Sequence, residues 1–233
     1  MSKCVVLHSG GLDSTVLLTK LIREGYDCYP LGIEYGQRHA KELLAAKHVC
    51  EALAVWEKQQ TLFLRQLADL IQSALTGRGD IPHGHYEAEM QKATVFPNRN
   101  MILLAIAAGY AETIGAELVA YAAHSNDRAI YPDCRPEFVK SVGETITLGT
   151  DGKVKLLEPF VDYRKADIVH EGFHLGAPMQ LTWSCYEGQE RPCLQCGTCL
   201  ERTEAFVRDG TRDPALTSEE WEKALEYLRR YTP

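Results

Sequence analysis

The chain has 233 residues, 45% of them hydrophobic, and a formal net charge of −7; this length suits one well-buried α/β domain with an appendage, and the acidity argues against a broad electrostatic grip on DNA or RNA. No run approaches the roughly 18 apolar residues of a membrane span, and the N-terminus lacks a basic segment ahead of an apolar signal core. The expectation is a cytoplasmic protein whose 8 cysteines serve as thiols or metal ligands rather than disulfides.

Cys4-Val5-Val6-Leu7 reads as a buried strand and Thr15-Val16-Leu17-Leu18 as the body of a helix. Between them, Gly10 and Gly11 permit a sharp turn, and Asp13 or Ser14 suits the helix N-cap. Such a strand-to-helix turn aims backbone N–H groups and the positive end of the helix dipole at one point, a natural seat for phosphate. It is not a Walker loop, because the Gly-Lys-Ser/Thr ending is missing.

A second strand follows over 28–35, with Pro30 expected at its beginning. An Ala- and Leu-rich helix over 40–53 and a third strand within 57–63 continue the pattern. Strands and helices alternating in this way indicate a parallel sheet covered on both faces, with the ligand at the carboxyl ends of the strands. Tyr35-Gly36-Gln37-Arg38-His39 falls at such an end, where Arg38 suits a carboxylate or phosphate; His39 and Glu42 share a helical face as a surface or metal pair.

From 76 to 93 the periodicity breaks and turn residues dominate, as in a mobile flap over the site; His83 and His85 lie within it. Phe96-Pro97-Asn98-Arg99-Asn100 then opens a helix over 101–111 that is apolar nearly all round, with Asn100 or Asn98 as its cap. Arg99 at that mouth needs a partner, either a structural carboxylate or a ligand.

A strand over 118–122 leads into His124-Ser125-Asn126-Asp127-Arg128 and then Tyr131-Pro132-Asp133-Cys134-Arg135. Asp133 suits either the N–H edge of a purine-like base or a helix cap, and Tyr131 can stack on a base. A helix over 138–147, a strand over 154–157 and a helix from Lys165 follow. Lys165 could reach a phosphate, but on the residues alone it reads as an exposed surface lysine.

Cys185, Cys193, Cys196 and Cys199 form C-x7-C-x2-C-x2-C between turn residues. Tetrahedral Cys4 zinc is the leading reading; an iron–sulfur cluster is the rival, although the Cys-Pro ending of ferredoxin-type runs is absent. The last stretch, from Thr217, carries a capping signal ahead of a charged helix that reads as peripheral.

Ser9-Gly10-Gly11-Leu12-Asp13-Ser14 resembles the SGGxDS loop of the N-type ATP pyrophosphatases. With YGQRH at 35–39, FPNRN at 96–100, YPDCR at 131–135, KADI at 165–168 and the four cysteines, almost the whole chain resembles the 7-cyano-7-deazaguanine synthase family. The resemblance implies a Rossmann-like α/β domain of the adenine nucleotide alpha hydrolase kind over 1–180 and a small zinc-binding, helical subdomain over 181–233. It implies a homodimer with one structural zinc per chain on the four cysteines, which acts on 7-carboxy-7-deazaguanine, ammonia and ATP with magnesium. ATP would lie on His8 through Leu18, with Ser9, Asp13, Ser14 and Lys165 as the catalytic set. Lys165 or Arg38 would neutralise phosphates. Asp133 with Arg99 or Arg135 would orient the deazapurine and its carboxylate, beside Tyr35 and Tyr131. A relative that passes the same carboxylate to another amine, or stops at the amide, would share these motifs, and a tRNA-thiolating enzyme would share the ATP loop.

Overall fold

The structure is a computed structural model that describes residues 1–38, 41–77, 79–86 and 89–231. Five strands, β1 (Lys3–Leu7), β2 (Asp27–Glu34), β3 (Gln60–Phe63), β4 (Leu118–Ala120) and β5 (Lys155–Leu157), pair in the order β3-β2-β1-β4-β5. All four pairings are parallel, so the expected parallel sheet is present. The chain runs outward from β1 through β2 to β3, then crosses to β4 on the other side of β1. That reversal opens a crevice at the carboxyl ends of β1 and β4, the usual ligand seat of such sheets.

Eight α-helices are described: α1 (Leu12–Arg23), α2 (Lys41–Ala52), α3 (Leu67–Leu70), α4 (Arg99–Thr113), α5 (Pro136–Gly149), α6 (Lys165–Leu175), α7 (Gly197–Asp209) and α8 (Ser218–Tyr231). The two-residue alternation of β1 divides them into layers. Cys4 and Val6 enter one core with Leu17 and Leu18 of α1, Val49 of α2, Ile168 of α6 and Phe206 of α7. Val5 enters the opposite core with Leu104 and Ala107 of α4 and Val139 of α5. Trp221 of α8 belongs to the first core, so the cysteine-bearing C-terminal segment shares its interior with the α/β domain. The helix α8 does begin with a reciprocal cap: the Glu220 N–H donates to Thr217 Oγ1 (3.3 Å), and the Thr217 N–H donates to Glu220 Oε2 (2.9 Å). Among the described residues no helix is long and apolar enough to cross a membrane.

Three local expectations are corrected. Pro30 lies inside β2 rather than at its beginning. Leu31 O accepts the His8 N–H on the β1 side, so the nitrogen of Pro30 faces β3, where pairing starts only at Leu31 and Gln60. The missing N–H therefore removes no ladder bond. Neither Asp13 nor Ser14 caps α1: Gly11 holds that position with no side-chain cap. Nor does an asparagine side chain cap α4. Asn98 is at the cap in a left-handed conformation (φ 58°), and the Asn100 N–H donates to Asp133 Oδ2 at 2.8 Å.

His8 directly follows β1, its imidazole only 1% exposed, with Nε2 3.3 Å from Thr15 Oγ1 and Nδ1 3.7 Å from Cys50 Sγ. Burial pushes its pKa down to about 4. The folded chain thus holds His8 neutral while the unfolded chain protonates it near pH 6.5. The resulting stability is full above that pH and is lost as the pH falls towards 4. Between about pH 7 and about pH 5, denaturant titrations should show the wild type losing about 2 kcal/mol more than His8→Phe; equal losses would refute a buried neutral imidazole.

Candidate active site

The geometry of the turn after β1 suits an anion. Gly10 adopts φ 86°, and a Cβ there would stand 2.3 Å from Glu42 O and 2.5 Å from the Ala46 nitrogen, so only glycine lets α2 approach this closely. Ser9 and Ser14 lock the turn: their hydroxyl oxygens are 3.3 Å apart, the Gly11 N–H donates to Ser9 Oγ (3.1 Å), and Ser14 Oγ donates to Gly11 O (3.2 Å). Because no side chain caps α1, the N–H groups of its first turn and the positive end of its dipole face the crevice unclaimed.

Beside this turn stands a buried charge cluster drawn from four parts of the chain. The Lys165 ammonium, on the first residue of α6 and only 6% exposed, contacts Asp13 Oδ2 at 2.9 Å and Glu201 Oε2 at 3.0 Å. His124 Nε2 lies 3.4 Å from Asp127 Oδ2 and 3.7 Å from Asp13 Oδ2. Burial alone would lower the pKa of Lys165, but Asp13 and then Glu201 raise it, so the ammonium is kept charged. Burial raises Asp13 less than Lys165 and His124 lower it, which leaves it an anion well below the usual carboxylate range. For His124, Asp127 and Asp13 outweigh burial and push the pKa up to about 9. Glu201 is raised, chiefly by burial.

Across the crevice, Arg99 lines the cavity with Tyr35, Tyr131 and Tyr186. Its Nη1 donates to Tyr35 Oη at 3.4 Å, and among the described residues it has no carboxylate partner. Tyr131 Oη is 2.8 Å from Thr94 Oγ1 and 3.4 Å from Tyr186 Oη. The arrangement presents a half-buried guanidinium in an aromatic wall, suited to a planar, anionic ligand.

The four cysteine sulfurs all lie within 4.8 Å of one another, so the donor set fits one tetrahedral metal. Leu194, at φ 64°, turns the Cys193–Cys196 knuckle, where the Gln195 and Cys196 N–H groups donate to Cys193 Sγ at 3.5 and 3.3 Å. Ala74, Leu75 and Ile81 cover the cluster, and the Gly84 N–H donates to Gln195 O at 3.0 Å. Ile81 and Gly84, within the segment read as a flap, are thus seated on the cysteine cluster. The cluster also reaches the anion turn: the Trp183 N–H donates to Gly10 O at 3.0 Å, while its indole N–H donates to Cys185 O at 2.9 Å.

The structure therefore brings together Ser9, Asp13, Ser14, Lys165, Tyr35, Arg99 and Tyr131 around one cavity, which His8, Gly11 and Leu12 also line. Other sequence candidates stand apart from it. Val16, Leu17 and Leu18 are core residues of α1, and Thr15 is fully buried beneath the turn. Asp133, 8% exposed, spends its carboxylate on the start of α4. Arg38 Nη2 donates to Gly79 O (2.7 Å), and Arg135 Nε to Arg128 O (3.2 Å). His39 lies outside the described residues. Glu201, Asp127, Tyr186 and Trp183 were missed as site residues. The one available signal was for Asp127, which follows β4 at the same kind of strand end as Tyr35.

The sequence profile of queuosine biosynthesis protein QueC matches residues 3–210. The chain belongs to the QueC family. It is 51% identical to the 7-cyano-7-deazaguanine synthase of Archaeoglobus fulgidus over 226 residues, which cover 96% of this chain and 94% of that one. It is 45% identical to the enzyme of the same name from Pseudoalteromonas atlantica, over 92% of this chain and 98% of that one. The NMN synthetase structure from Francisella tularensis shares the fold at a TM-score of 0.50 and 14% identity, covering 98% of this chain and 84% of that chain. In this QueC family member the Ser9–Ser14 turn and the wall of Arg99, Tyr35, Tyr131 and Tyr186 meet in one crevice.

Proposed function

We propose that the chain converts 7-carboxy-7-deazaguanine, ammonia and two ATP into 7-cyano-7-deazaguanine, with two AMP and two pyrophosphate released. The observation that carries this reading is the convergence, in one cavity, of the uncapped α1 turn, the Lys165 ammonium and the Arg99 guanidinium, which among the described residues has no carboxylate partner. Family membership and the names of the relatives support it.

A carboxylate is a poor electrophile, so a carboxylate oxygen first attacks the α-phosphorus of ATP, forming an acyl-adenylate and expelling pyrophosphate. Ammonia then attacks the acyl carbon; AMP leaves, a proton is lost, and the amide remains. In the second round the amide oxygen attacks another α-phosphorus, expelling pyrophosphate, and one of the two amide protons is lost. The resulting imidate loses its N–H proton and AMP together, which leaves the nitrile. Both activations load negative charge onto phosphate oxygens, and the protein's task is positioning and electrostatics. The Ser9–Ser14 turn holds the pyrophosphate portion, Lys165 offsets charge developing beside it, and Arg99 aligns the deazapurine carboxylate against the tyrosine wall. Magnesium accompanying ATP supplies further charge neutralisation on the phosphates. Zinc on Cys185, Cys193, Cys196 and Cys199 would have all four positions filled by protein and so acts structurally.

Mass spectrometry of the reaction, with AMP quantified alongside, tests the reading: nitrile with two AMP per product supports it, whereas amide as the end product or no turnover refutes it. The Arg99 assignment has its own test. Arg99→Lys keeps the charge but loses the planar fork, and Arg99→Ala loses both. Arg99→Ala should raise KM for the deazapurine by about a hundredfold with KM for ATP little changed; equal effects on the two substrates would remove Arg99 from the deazapurine subsite.

A further inference from the structure

We infer that His124, Asp127 and Glu201 form a protein-held binding site for a divalent cation, with Mn²⁺ preferred over Mg²⁺, on the wall of the phosphate cavity. This deepens the reading of that cavity as an ATP site and gives it a metal that the protein binds before any nucleotide arrives.

Three observations carry it. The first is spacing: one donor atom from each of the three residues lies within 4.8 Å of the other two. The His124 Nε2 to Asp127 Oδ2 separation of 3.4 Å is long for a charged hydrogen bond. Two ligands each about 2.1 Å from one shared ion stand roughly 3.0–3.5 Å apart, so this separation is that of neighbouring ligands.

The second is unmet bonding capacity. Among the described residues Glu201 Oε1 is a buried carboxylate oxygen without a hydrogen-bond partner, on a residue only 5% exposed, beside the His124 Nε2 that faces Asp127. Lys165 occupies only Glu201 Oε2 and Asp13 Oδ2. Buried atoms of this kind are normally satisfied, and an ion can satisfy them.

The third is charge. Asp13, Asp127 and Glu201 face the ammonium of Lys165 and the imidazole of His124 across the cluster, and once His124 gives up its proton to become a metal ligand the excess of two negative charges is that of one divalent cation. Excess charge in a buried site is strongly disfavoured unless a counter-ion meets it. Imidazole among the donors selects the ion, because Mg²⁺ favours oxygen ligands and sheds water reluctantly whereas Mn²⁺ accepts mixed nitrogen and oxygen sets. Three protein donors leave the remaining positions for water or for phosphate oxygens.

The test uses the zinc-loaded protein with neither nucleotide nor deazapurine, so its outcome is independent of the synthase reading. Titration with Mn²⁺, followed by loss of the free-ion paramagnetic resonance signal, should show one site per chain. Glu201→Gln and His124→Gln should weaken that site by at least about tenfold, while Glu187→Gln, beside the cysteine cluster, leaves it unchanged. Pulsed resonance on the wild-type complex should show coupling to an imidazole nitrogen, a readout that does not depend on any variant folding. Failure of the wild type to bind Mn²⁺ tightly without nucleotide, or a bound ion with no nitrogen coupling, would overturn the proposal.

Discussion

Replacing Lys165 with methionine should lower the rate of AMP formation by about 10²–10³-fold or more, the usual consequence of removing one preorganised charge partner from a reacting oxyanion. The ammonium is positioned beforehand by Asp13 and Glu201, so it need not reorganise when charge develops on the phosphate. Its removal also leaves two buried carboxylates facing each other, which should destabilise the fold by about 3–5 kcal/mol. The two effects can be separated. Adding Glu201→Gln to Lys165→Met removes one of the stranded charges, so the double variant should regain part of the lost stability in denaturant titrations yet remain inactive. Recovery of turnover together with stability would show that Lys165 serves the fold alone.

Stripping the metal from the cysteine cluster, or replacing Cys196 with serine, should have the second large effect. A closed four-thiolate site contributes folding free energy directly, and here it fixes more than its own knuckle. Trp183 links Cys185 O to Gly10 O, so a slackened cluster reaches the Ser9–Ser14 turn within one residue. Arg202 secures the same stretch from the other side, donating to Thr182 Oγ1 (2.7 Å), Ser184 Oγ (3.1 Å) and both carboxylate oxygens of Asp213 (2.6 and 2.9 Å). Cys196→Ser should therefore lose about 4 kcal/mol or more, roughly 10 °C in melting temperature for a chain of this size. ATP affinity should fall in parallel. An unchanged melting temperature would mean the four cysteines hold nothing that the fold needs.

Much of this site could be read from residue order because its parts are local. The glycines, serines and Asp13 of the first turn lie within six residues, and the cysteines within fifteen. Their chemistry follows from spacing. Lys165 behaved differently: its partner Asp13 lies 152 residues away, and nothing in the stretch around it distinguishes a buried ammonium from a surface one. Glu201 was hidden for the same reason, since it becomes a site residue only when α7 packs on α6. Asp133 differs again. Its setting suited both a base edge and a helix cap, and the fold uses it to cap α4, an element well upstream in the chain. Periodicity reports which face of an element is buried; it does not report which distant element will cover that face.

Following the carboxylate oxygens gives the most direct test of the central claim. With both oxygens of 7-carboxy-7-deazaguanine labelled as oxygen-18, attack on the α-phosphorus in each round sends one labelled oxygen into each AMP, and the nitrile leaves with none. Two singly labelled AMP per nitrile is the predicted result. Unlabelled AMP, or label appearing in pyrophosphate, would show that the carboxylate is not activated at the α-phosphorus and would contradict the account.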